Sequence, residues 1–255
     1  MATHTAGEHL GDWPRARALA ERALEGHQPD AVTALIWGRL SVTQLLAGDP
    51  VAAMATELAC LNAAGDGMTA ALIEMRFMLI SMLTSCNRAG EAAGLYDAAL
   101  ALANAAGESA PHRSIAIASN NLASELLESG PRTPEVDRLM RDAAEAAHAH
   151  WLKCGDWVND ETALQLRAAV ANVLGDSREA LRLADAGLAI IAANSPRPID
   201  TAFLHLARAN AYRAVGEPAK AQAALDLADA AAEAAPSPGL KAWYLDVRGK
   251  APAAR

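Results

Sequence analysis

The chain has 255 residues, 52% of them hydrophobic and 20% charged, which is enough apolar side chain for a core and excludes the polar bias of a disordered chain. Aromatic residues make up only 4% and alanine dominates the apolar share, a composition suited to closely packed helices rather than a β-branched sheet core, so the expected class is all-α. The 22 basic and 30 acidic residues give a net charge of −8 with no Lys/Arg-rich run, which argues against nucleic acid as a partner.

In chain order, "MATHTAGEHL" (1–10) has no basic start followed by an apolar run and reads as a flexible N-terminus. No stretch reaches the roughly 18 consecutive apolar residues of a membrane span, so no membrane association and a cytoplasmic location are expected. From Gly11 the stretch "GDWPRARALAERALEG" opens a helix, and related stretches open at Gly48, Asn87, Gly130, Gly175 and Gly216. Five, nine, twelve and thirteen places after the turn residue stand Ala16, Ala20, Ala23 and Leu24, then Ala53, Glu57, Cys60 and Leu61, then Ala92, Tyr96, Ala99 and Leu100. Those offsets mark one helix face. The fourth stretch fits with one inserted residue, and the sixth deviates at Asp229.

Before each turn a second apolar face ends, such as Trp37, Leu40, Ser41 and Gln44 before Gly48. Gly or Asn at the junction suits a left-handed C-terminal cap, and the Asp, Glu or Pro that follows suits the next helix start. The unit is therefore a helical hairpin, repeated at separations of 37, 39, 43, 45 and 41 residues. At Arg167 and Arg208 the pattern slips. A shift of one residue exposes both arginines and leaves Ala163, Leu166, Val170 and Leu174, then Leu204, Ala207, Ala211 and Val215, as the apolar stripes. The helix from Trp13 is expected to open the stack without a full partner, and Leu240, Trp243, Tyr244 and Val247 to cap its other end, followed by a frayed tail at 250–255.

The chain resembles the tetratricopeptide repeat (TPR) family through "WGRL" (37–40) with Gly48-Asp49 and Ala53, through "NNLA" (120–123), and through "ANAYRAVGEPAKAQAAL", where Ala209, Tyr212, Gly216, Ala221 and Leu225 hold the signature places. The resemblance implies a right-handed α-solenoid of about six helix pairs with a C-terminal capping helix, forming a single superhelical domain over 11–249. The period near forty exceeds the family's roughly 34 and predicts longer helices. HEAT and armadillo repeats share that period, but the small residues around a Gly-Asp turn favour the tetratricopeptide pair. The Ala/Arg-rich, Lys-poor style looks like the arrays of large bacterial LuxR-type activators and signalling ATPases.

Chemistry is sparse. "HAHWLKCGDW" places His148, His150 and Cys154 close enough on a helix to be weighed as metal ligands, although two or three such residues without a further ligand more often pack and cap. Cys60, Cys86 and Cys154 read as buried free thiols. Asp160 and Glu161 lie at a helix start and read as solvated or capping carboxylates. With no Gly-rich phosphate loop, nucleophile elbow or His-Glu-x-x-His run, no enzyme activity and no cofactor are expected.

The resemblance implies instead a groove lined by the first helix of each pair, here Arg39, Glu74, Asn120, Asn121, Ser124, Gln165, Asn172, Asn210 and Arg213, whose amides and guanidiniums suit peptide backbone and carboxylate. Asn120 with Gln165, and Asn172 with Arg213, hold equivalent places in neighbouring repeats. Leu35, Val42, Phe77, Met78 and Phe203 are expected as apolar members of the same surface. Lys153, Lys220, Lys241 and Lys250 all fall outside the lining, which disfavours a lysine clamp for chaperone tails. The expected function is a non-enzymatic protein- or peptide-binding scaffold or regulatory sensing module. The alternatives are a small-molecule or metal protein using the superhelix interior, and a homodimer joined through the N-terminal helix.

Overall fold

The computed structural model describes residues 3–30 and 33–250, and among these every regular element is helical. A wide helical turn at Thr3–His9 precedes α1 (Trp13–Leu24), α2 (Ala34–Leu46), α3 (Pro50–Ala64), α4 (Met68–Ser85), α5 (Ala89–Ala106) and α6 (His112–Glu128). There follow α7 (Pro134–Cys154), α8 (Trp157–Val173), α9 (Ser177–Ala193), α10 (Pro198–Ala214), α11 (Pro218–Glu233) and α12 (Pro238–Gly249). The chain forms two compact units, Met1–Ala118 and Ser119–Arg255, with α6 spanning the boundary. In each unit helices pack on their neighbours in sequence, as expected of an all-α repeat. The tail expected at 250–255 lies, beyond Lys250, outside the described residues.

The recurring Gly-Asp dipeptide does two jobs. Gly48 takes φ +87°, and its N–H and that of Asp49 return to Leu45 and Gln44 carbonyls at 3.1 and 3.0 Å, closing α2 with a paired C-terminal cap. The Asp49 carboxylate then accepts from Ala52 N–H at 3.0 Å and opens α3. The same pair of returns recurs at Asn87, Gly175 and Gly216, and Asp176 caps α9 in the same way. Asn87 is the one non-glycine at positive φ (+60°) among the described residues. Gly130 differs: Pro131 follows it and favours an extended conformation there, so the connection lengthens until Thr133 caps α7. That is the inserted residue seen in the sequence.

In the first unit α1 is not bare. Ala6 of the preceding turn is buried, and Gly7 lies so close that a Cβ there would meet the Trp13 ring at 2.5 Å. Arg17 on α1 reaches Asp49 at 2.9 Å. Gly38 on α2 admits Met75 of α4 to 2.7 Å from where its Cβ would stand, and Arg76 clamps Glu57 with two bonds of 2.9 and 2.7 Å. Pro50–Ser85 is long and apolar enough to cross a membrane by composition, but it is folded here as two helices broken at Gly65–Gly67 and is half buried. The outer face of α3 leaves Val51, Met54 and Leu58 more than 60% exposed.

In the second unit Leu164, Ala168, Leu183, Ala184, Ile191 and Leu204 form the core between α8, α9 and α10, each large aliphatic contributing about 1.5–3 kcal/mol on burial. Gly187 permits this approach: a Cβ there would meet Leu204 Cδ2 at 2.9 Å. Ala163, Val170, Leu204, Ala207 and Ala211 are buried as the shifted register requires, whereas Leu166 and Leu174 are half-buried and Val215 is exposed. The arginines correct that reading. Arg167 and Arg208 are only 19% and 24% exposed, because their guanidiniums reach Glu179 and Asp185 while their stems lie along the helices. Finally α12 caps the stack: Tyr244 is fully buried and donates to Asp229 at 2.7 Å, which accounts for an aspartate at a leucine place.

Candidate functional site

α8 is sandwiched, and its buried stripe Glu161, Leu164, Ala168 and Ala171 leaves a second stripe of Val158, Thr162, Gln165, Ala169 and Asn172 half-exposed. That stripe carries no charge. Gln165 Oε1 is enclosed and accepts no hydrogen bond from any described residue. Asn172 is already engaged, donating to the Ala207 carbonyl at 2.8 Å and tying α8 to α10 rather than meeting Arg213. Arg213 is exposed at the end of α10 and donates to Asn210 Oδ1 at 3.0 Å, so these two residues form one polar couple. Asn120 is half-buried, Asn121 is exposed, and Ser124 bonds back to the Asn120 carbonyl at 2.9 Å.

In the first unit Arg39 is half-buried, and Glu74 accepts a short hydrogen bond from Ser114. The expected apolar lining is largely core instead. Val42, Phe77 and Phe203 are buried, Phe77 edge-on to Tyr96 at 5.6 Å and Phe203 against Trp243 of α12 at 4.4 Å. Only Leu35 is exposed, with Met78 half-buried. Lys153 lies in the last turn of α7, and Lys220, Lys241 and Lys250 pair with Glu217, Glu233 and Asp246.

The His148, His150 and Cys154 group does not converge. His148 Nδ1 lies 2.8 Å from Arg167 Nη1 and its Nε2 lies 2.7 Å from Asp160 Oδ1. A guanidinium only donates, so Nδ1 accepts, the proton resides on Nε2, and both ring nitrogens are occupied. His150 is buried, and the Cys154 thiol donates to the His150 backbone carbonyl at 3.2 Å. Among the described residues no three His, Cys, Asp or Glu side chains are placed to hold a metal ion. All three cysteines are free. Cys60 is buried, donates to the Ala34 carbonyl at 2.8 Å and has its thiol pushed up by burial, whereas Cys86 is half-buried and Cys154 exposed, contrary to the buried reading.

Asp160 and Glu161 are not a solvated pair either. Asp160 holds His148, while Glu161 is fully buried at the head of the α8 stripe. Arg197 Nε lies 2.6 Å from Glu161 Oε1 and 2.7 Å from Asp200 Oδ2, an ion pair by distance whose N–H direction makes no hydrogen bond. Glu161 Oε2 has no hydrogen-bond partner among the described residues. Burial, reinforced by the Asp200 charge, pushes the Glu161 carboxyl up to about 7, and burial raises Asp200 as well. The signal available in sequence was the spacing 161-164-168-171, which puts a carboxylate in line with buried apolar residues.

A cavity of about 220 Å³ opens between α7 and α9 over α8. Val170, Ala171 and Leu174 form its floor, with Ala144 and Leu183 on the walls. Its charged members are Arg141, Glu145, Arg167, Asp176 and Glu179. Glu179 is chelated by Arg182 at 2.7 and 2.5 Å, which holds its carboxyl below the usual range, and Asp176 caps α9. No family model and no curated protein matches the chain.

Proposed function

We propose that this chain is a non-enzymatic binding module built from tetratricopeptide-like helix pairs, a cytoplasmic protein- or peptide-binding scaffold or the sensing part of a bacterial regulator. The observation that carries this reading is the uncharged stripe of α8 with its enclosed, unsatisfied Gln165 carbonyl oxygen. A buried acceptor without a donor costs about 1–3 kcal/mol, which is recovered when the half-exposed Gln165 side chain turns its amide outward to accept a guest's N–H. An extended peptide presents such donors at regular intervals, and the exposed Arg213 beside Asn210 suits a carboxylate.

Selection of binders from a displayed random peptide library, followed by fluorescence anisotropy of an enriched peptide, tests the reading. Gln165→Ala and Arg213→Ala should each weaken that peptide by roughly tenfold or more, the loss of one good hydrogen bond or charge pair. Affinity unchanged in both variants would place the peptide elsewhere and remove this reading.

A further inference from the structure

The cavity between α7 and α9 is separate from the first-helix stripe and opens on the side of the second helices. At about 220 Å³ it holds the volume of roughly seven waters, the size of a ligand of about ten heavy atoms and too small for a folded segment. Its floor of Val170, Ala171 and Leu174, backed by Leu183, is aliphatic and has no aromatic member.

The charges above that floor balance. The lining holds two guanidiniums (Arg141, Arg167) and three carboxylates (Glu145, Asp176, Glu179), and Arg182, outside the lining, neutralises Glu179. A neutral rim selects neither a net anion nor a net cation. Most of these groups are engaged: Arg167 with His148, Glu179 with Arg182, and Asp176 with the start of α9. Arg141 and Glu145 are the exceptions, making no hydrogen bond or ion pair with any described residue. They stand four residues apart on α7, a spacing at which such side chains readily pair, about 5–6 Å between Cβ atoms. One free cation and one free anion a helical turn apart, above an aliphatic floor, match a ligand that carries both charged groups on one carbon and a short apolar tail.

We propose that the α7–α8–α9 cavity binds a free α-amino acid with a branched aliphatic side chain, its carboxylate on Arg141, its ammonium on Glu145, and its side chain on Val170, Ala171 and Leu174. A ligand with a carboxylate alone, such as the C-terminus of a peptide, leaves Glu145 unanswered.

Isothermal titration of the full chain with L-leucine, N-acetyl-L-leucine and L-leucinamide tests this. L-leucine is expected to saturate a single site at millimolar concentration or below. Each analogue lacks one charge and should bind roughly tenfold or more weakly, as should L-leucine to Arg141→Ala and to Glu145→Gln. Both substitutions are at exposed positions, and an unchanged circular dichroism spectrum shows that the variants fold. Absence of heat with L-leucine, equal binding of the N-acetyl compound, or indifference to both substitutions would overturn the proposal.

Discussion

Replacement of Glu161 by glutamine removes one ionisable group from the interior of the second unit and leaves its shape unchanged. Glu161 is fully buried, one of its oxygens has no hydrogen-bond partner among the described residues, and its carboxyl is pushed from the ordinary 4.5 up to about 7. Between those values the folded protein keeps a proton that the unfolded chain has released. The stabilising contribution is therefore complete below pH 4.5 and is lost as the pH rises through 7, a change of about 3 kcal/mol. The groups facing Glu161 are Arg197, Asp200 and Thr162, and all remain in the variant. Urea denaturation followed by circular dichroism at a series of pH values should show wild type and Glu161→Gln nearly equal at the acid end. The variant should gain about 3 kcal/mol relative to wild type by pH 8. Subtracting the two curves cancels the histidines and leaves the titration of Glu161 with its coupling to Asp200. A flat difference across that range would mean that Glu161 is ionised throughout, and the account of the cluster would fail.

Three further outcomes follow from packing and backbone. Gly187→Ala should destabilise, because overpacking against the buried Leu204 costs about 1–3 kcal/mol, whereas Gly94→Ala on α5, with nothing within 4 Å, should gain roughly 0.5–1 kcal/mol of helix propensity; paired thermal melts read the opposite signs. At Asn87, whose φ is +60°, valine should cost about 1–2 kcal/mol and glycine nothing, as judged by urea midpoints. Tyr244→Phe removes the bond to Asp229 and should cost about 1–3 kcal/mol, with loosened α12 amides visible in hydrogen exchange.

The hairpins were legible because Gly-Asp at a junction combines two local requirements, positive φ and a side-chain cap, that need no knowledge of the rest of the chain. Asp229 looked like a defect because its partners Tyr244 and Arg248 arrive on a later helix. Arg167 and Arg208 likewise have their partners on another helix. A polar residue inside an apolar stripe suggests exposure, but acids on α9, which follows Arg167 and precedes Arg208, draw both guanidiniums into the interface. Phe203 shows the converse: its spacing puts it on the lining face, and α12 then covers that face. The 161-164-168-171 spacing puts Glu161 on the buried face of α8, but its partners Arg197 and Asp200, like the walls of the α7–α9 cavity, come from other helices, and no spacing rule within one helix reveals them. Of the α8 stripe, Gln165 and Asn172 were legible as polar positions of one helix, though not the fact that Asn172 turns inward to hold α10.

The most direct measurement is an amide-resolved NMR titration with a library-selected peptide, reading the side-chain NH₂ signals of Gln165 and Asn210 alongside the backbone of α8 and α10. The account predicts the largest shifts at Gln165 and on the Val158–Asn172 stripe, saturating together at one stoichiometry. Shifts confined to other helices, with Gln165 unmoved at saturation, would contradict it.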